Sequence, residues 1–108
     1  MSQQELDPRQ KTVDEVVKEW PDVRAKQVFG HRGYVRSGRM FGFHAEAGVA
    51  VKVFAGDDAD EIYARRGVRP FVYNDGMEMR AWPVLPLSSD ADVEAALTEL
   101  HKAYDRAV

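Results

Sequence analysis

The sequence predicts an α+β fold, a two-layer domain in which helices cover one face of an antiparallel five-stranded sheet. Three observations carry that expectation. A capping-box pattern opens an apolar stripe at helical spacing, short apolar runs punctuated by glycine fill the middle, and a second helical stripe closes the chain. At 108 residues and 44% hydrophobic content the chain has the length of one domain with a core of its own.

The elements follow in order. Residues 1–10 are polar and are expected to form a flexible segment ahead of a single domain over 11–108. Thr12 and Glu15 form a capping box, and Val13, Val16, Val17 and Trp20 then fall on one helical face until Pro21 stops the helix. Ser37-Gly38 reads as the turn of a hairpin between Tyr34-Val35-Arg36 and residues 39–45. Glu46-Ala47-Gly48 makes the next turn. Val49, Val51 and Val53 then alternate with Ala50, Lys52 and Phe54 as a third strand.

Asp58 as N-cap, Glu61 three residues on and Gly67 beyond frame a short helix over 59–66. A second hairpin follows, with Asn74-Asp75-Gly76 between Pro70-Phe71-Val72-Tyr73 and residues 77–82, and Pro83 and Pro86 are expected to end its pairing. Ser89 and Asp92 open a last helix with Val93, Ala96, Leu97, Leu100 and Tyr104 along one stripe. The expected order is α-β-β-β-α-β-β-α. Phe41, Phe43, Phe54 and Trp82 give more apolar strand positions than one covered face needs, so a homodimer through the far face is expected.

Composition removes whole classes of chemistry. With no cysteine there is no disulfide framework, thiolate zinc site or cysteine nucleophile. Eighteen acidic against fifteen basic residues give a net charge of −3, unlike the basic excess usual in domains that ride on a nucleic-acid backbone. The N-terminus lacks the apolar run of a signal peptide and no long apolar stretch occurs, so a cytoplasmic protein without membrane contact is expected.

The motifs are as informative for what they lack. Gly30-His31-Arg32-Gly33 has neither the dinucleotide nor the Walker spacing, and its place among strands differs from the helix-flanked loop of KH domains. His31, His44 and His101 have no ligand spacing. His44-x-Glu46 lacks the cysteines of a zinc deaminase, and Asp57, Asp58, Asp60 and Glu61 lack the alternation of a calcium loop, so no metal or cofactor is expected. Ser2, Ser37, Ser88 and Ser89 lie in a tail, a turn and a cap, and no nucleophile, base and orienting group assemble; a non-enzyme is expected. Arg24, Lys26, Arg32, Arg36 and Arg39 occur with no acid between positions 24 and 39, which admits nucleic-acid contact with stacking on Tyr34, or simply charged edge strands. Lys52 has apolar alternation neighbours, where it would snorkel or pair with an acid, and Met77, Met79 and Trp82 read as core.

Phe29-Gly30, Gly33, Gly38 with Met40-Phe41, Lys52 in the following strand, Pro70-Phe71 and Trp82-Pro83 together resemble the N-terminal domain of TfoX/Sxy competence regulators over about residues 28–86. That family usually has Met before its Phe-Gly and a further Gly directly after, where this chain has Val28 and His31. The resemblance implies the same α+β arrangement, similar to YjbR-like and secretion-chaperone-like proteins, and a regulatory or binding role without an active site to carry over. The expected function is a non-catalytic module for a protein partner or small ligand, with Arg32, Tyr34, Arg39, Phe41, Lys52 and Trp82 as candidate binding residues. A nucleic-acid-associated regulator using residues 24–39 is the alternative.

Overall fold

A computed structural model describes residues 6–28, 30–45, 48–54, 59–73 and 76–107. Helix α1 (Pro8–Val17) starts earlier than Thr12, because Asp7 is its N-cap: the Asp7 carboxylate accepts from the Gln10 backbone N–H at 2.8 Å, and the Gln10 side chain accepts from the Asp7 N–H at 3.1 Å. This capping box, with proline at the first helical position, lies inside the segment expected to be flexible. The buried face also differs from the expected stripe. Gln10, Val13 and Val17 are buried, whereas Val16 is exposed and Trp20 lies in the turn beyond the helix.

Six strands follow where the sequence suggested five: β1 (Val23–Val28), β2 (His31–Arg36), β3 (Arg39–Ala45), β4 (Gly48–Val51), β5 (Arg69–Tyr73) and β6 (Met77–Pro86). Helix α2 (Ala59–Tyr63) lies between β4 and β5, and α3 (Asp90–Arg106) follows β6. All pairs are antiparallel, in the order β1-β2-β3-β4-β6-β5. The additional strand is β1, an edge strand with exposed Arg24, Ala25, Lys26 and Gln27. With one neighbour and little burial it needs no apolar period, so the sequence gives it no strand signature. The turns at 46–47 and 74–75, and the Asp58 cap, lie outside the described residues. Strand β6 runs through Pro83 to Pro86, so these prolines do not end pairing. Pro83 stands opposite Pro70 of edge strand β5 beside a register shift, and Pro86 is the last residue of its strand, positions where a missing N–H costs little.

The helices pack on one face. Val13, Val17, Ile62, Val93, Leu100 and Tyr104 meet Tyr34, Phe41, Val49, Val51 and Leu85 in one buried cluster. At Gly42 a β-carbon would stand 2.5 Å from the Leu100 Cδ2 atom, so the missing side chain lets α3 lie against β3. Phe41 reaches this face because of a bulge: Tyr34 pairs with Gly42 and Val35 with Met40, leaving Phe41 opposite no residue. Without it, Phe41 and Phe43 would share a face.

The far face is covered by the chain itself. Phe43, Ala45, Ala50, Trp82 and Val84 are buried there, with Met40, Phe71 and Met79 against them. Phe71 lies on β5, three strand positions from β3, a span of about 14 Å in a flat sheet. Its ring is nevertheless 4.9 Å from that of Phe43 and 5.9 Å from His31. The sheet therefore coils over itself, helped by a register shift in which β5 passes from pairing Pro70 with Pro83 to pairing Phe71 with Met79. These apolar positions need no second copy to cover them. Among the described residues, no helix is long and apolar enough to cross a membrane.

Candidate functional site

Strand β2 directs Arg32, Tyr34 and Arg36 toward the helices, and the structure uses each of them inside the fold. Asp14, on the inner side of α1 between Val13 and Val17, accepts from Arg32 Nε at 2.6 Å and from the Tyr34 hydroxyl at 2.7 Å, both at Oδ1. The Tyr34 hydroxyl oxygen is also 2.7 Å from Nε2 of His44 on β3. Tyr34 and His44 are fully buried, and the Asp14 side chain is 14% exposed.

Electrostatics fix the protons in this chain of groups. Burial alone would raise the Asp14 carboxyl, but the hydrogen bonds from Tyr34 and Arg32 and the nearby guanidinium hold it below its ordinary value. An ionised Asp14 claims the single Tyr34 hydroxyl hydrogen. His44 Nε2 therefore keeps its own hydrogen and donates it to the Tyr34 oxygen. Burial, and then the Asp14 charge, drive the Tyr34 phenol upward; burial depresses His44 to about 4 even against the pull of Asp14. The imidazole is neutral at ordinary pH.

Neighbouring polar contacts extend the lock. Gln10 Nε2 donates to the Ala45 and Gly48 carbonyls at 2.7 and 2.9 Å, tying the first turn of α1 to the β3–β4 connection. Arg36 donates to the Tyr104 carbonyl at 2.9 Å near the C-terminus of α3, with its guanidinium 4.0 Å from the centre of the Tyr104 ring. A cation at that end satisfies a late helical carbonyl and suits the helix dipole.

An Asp–Tyr–His constellation has the groups for proton transfer, but this one is closed to substrate: its phenol and imidazole have no exposed surface, and Arg32 is its most open member. Its direct contribution is to hold α1 against β2 and β3.

The residues singled out from the sequence do not form one site. Arg32 and Tyr34 belong to the buried chain, and Phe41 is fully buried against Trp20 and Tyr104. Arg39 is exposed beside the β2–β3 turn. Trp82 packs on Phe43 with ring centres 5.0 Å apart, and Lys52 extends its ammonium over Trp82 and Phe54 at 5.3 and 6.0 Å, the snorkelling arrangement. Met77 is 60% exposed, outside the core expected for it.

An open groove of about 380 Å³ lies between α2, α3 and the end of β4. Val51, Ile62 and Ala103 give it a buried apolar floor. Across it, Arg65 donates to Glu99 Oε2 at 3.1 Å, and Lys102 lies 3.4 Å from the same oxygen. Among the described residues there is no group of three or more histidine, aspartate or glutamate side chains that could hold a metal.

Sequence reading missed Asp14, Gln10 and His44 as a group, and it missed the groove. A signal for the first two does exist: Gln10, Val13, Asp14 and Val17 stand at i, i+3, i+4 and i+7, so two polar residues share the buried stripe. Comparison with protein-family models, curated proteins and solved structures finds no match to this chain.

Proposed function

We propose that this chain is a non-catalytic regulatory or binding module, related in kind to the TfoX N-terminal domain that its glycine and aromatic pattern resembles, and that it holds a small ligand in the groove between α2 and α3. The observation that carries this reading is the contrast between the two polar regions. The Asp14–Tyr34–His44 chain is closed, with no exposed surface on its phenol or imidazole, whereas the groove combines an apolar floor with a charged rim open to solvent. A volume of about 380 Å³ lies within the roughly 300–1,000 Å³ typical of small-molecule sites.

The nucleic-acid reading draws less support, because Arg32 and Arg36 are engaged with Asp14 and Tyr104 and leave Arg24, Lys26 and Arg39 as the exposed cations of that stretch. A homodimer, if formed, would use the β1 or β5 edge rather than the self-covered far face.

The test is a fragment screen by ¹H–¹⁵N correlation spectroscopy on the full chain. Hits that move the amides of Ile62, Arg65, Glu99 and Ala103 are expected. Hits confined to another surface, or turnover in a generic substrate panel, would refute the proposal.

A further inference from the structure

Resting on the reading of the groove as the binding site, we infer that its ligand is a small amphipathic anion, a carboxylate or phosphate ester carrying a short apolar body. Charge is the first ground. The whole chain carries −3, yet among the described residues the groove sets three cations, Arg65, Lys102 and Arg106, against three carboxylates, the Lys52 ammonium being turned over Trp82 on the far face. One of those carboxylates, Asp105, has its Oδ2 3.4 Å from the exposed His101 Nδ1 on the next turn of α3.

Donor accounting is the second ground. Arg65 and Lys102 converge on one oxygen, Glu99 Oε2, and that carboxylate is held in the groove wall with 12% of its side chain exposed. A guanidinium offers five N–H donors and an ammonium three, so one shared oxygen leaves both cations with donors to spare. Their side chains remain 43% and 60% exposed, within reach of a second anion at the mouth. A planar carboxylate or a phosphate fits the Arg65 fork. The floor of Val51, Ile62 and Ala103 then accepts the apolar body, which a hydrated inorganic anion could not exploit. Arg106, in the last turn of α3, also offsets the negative end of that helix, which would otherwise repel an anion there.

The experiment uses three probes of equal chain length on the ¹⁵N-labelled full chain, hexanoate, hexylamine and 1-hexanol, with inorganic phosphate as an anion lacking an apolar body, each titrated at low salt. Hexanoate is expected to move the amides of residues 61–65 and 99–106 in a saturable way, about tenfold more tightly than either other probe, a charge-assisted hydrogen bond being the difference. Lys102→Gln, a change at a mostly exposed side chain, should weaken hexanoate several-fold without altering amide dispersion. Arg65→Gln should weaken it further, and added salt should weaken it in the parent protein. Equal movement of the same amides by hexylamine or hexanol would overturn the anion assignment while leaving the groove as the site. Failure of all three probes to move groove amides would overturn both. Inorganic phosphate as effective as hexanoate would overturn the amphipathic part.

Discussion

Replacing His44 by glutamine is expected to remove most of the acid sensitivity of this fold between pH 7 and pH 4. In the folded chain His44 is buried beside Tyr34 and titrates at about 4, whereas in the unfolded chain it titrates at its ordinary 6.5. Between those values the unfolded state binds more protons, so stability falls as pH falls. It is fully retained above pH 6.5, and the histidine contribution is lost by about pH 4. A separation of about 2.5 units corresponds to about 3 kcal/mol, or about 12 °C in Tm at ~4 °C per kcal/mol for a domain of this length. His31, lowered by burial against Phe43 and Phe71, adds a contribution of the same sign. Asp14 acts in a different window. Its depressed carboxyl stabilises the fold above its ordinary 3.8, and this support is lost as pH falls through its folded value, below the range tested. Urea unfolding followed by the fluorescence of Trp20 and Trp82 at pH 7, 6, 5 and 4 gives the stability curve for each protein. Comparing slopes rather than absolute stabilities removes whatever glutamine costs at neutral pH. Parallel curves for the parent and His44→Gln, or a His44 imidazole resonance that titrates near 6.5, would refute the reasoning.

Three further outcomes are expected at neutral pH. Tyr34→Phe removes a donor to Asp14 and the acceptor of the His44 N–H, and should cost about 2 kcal/mol by chemical denaturation; a loss below about 0.5 kcal/mol would mean the chain of groups does not hold α1. Gly42→Ala should destabilise by about 1–3 kcal/mol, since its methyl would meet the tip of the buried Leu100 side chain, which must be displaced; unchanged Tm and amide shifts along α3 would contradict the close approach. Ser37→Asn should stabilise by about 0.5 kcal/mol, because Ser37 and Gly38 sit at φ 53° and 76° in the two-residue turn that favours Asn-Gly. A lowered Tm would count against that turn geometry.

Local chemistry carried much of the fold. The last helix is legible because Ser89 accepts from the Asp92 N–H and Val93, Ala96, Leu100 and Tyr104 recur at helical spacing. The hairpin at Ser37-Gly38 is legible because few residues adopt its backbone. Strand β1 was not, since an exposed edge strand has no apolar face to announce it. The candidate site was far less legible than the fold. Arg32, Tyr34 and Arg36 look like a basic aromatic surface in sequence, and nothing within β2 tells that Asp14 and Tyr104 wait on helices at opposite ends of the chain.

The sequence by itself determined the α+β class, the hairpin turn at Ser37-Gly38, the Ser89 cap of the last helix and the absence of cysteine chemistry, because these depend on residues within about one turn or hairpin of one another. Tertiary structure decided which way the side chains face. The bulge at Phe41 sends that ring to the helical layer, and the coiling of the sheet carries Phe71 onto Phe43 to close the far side. Packing of α1 turns Asp14, Tyr34 and His44 into one buried hydrogen-bonded chain, and the junction of α2, α3 and β4 opens the groove. Each joins residues distant in sequence, and the register and curvature that bring them together arise only once the sheet and helices have packed.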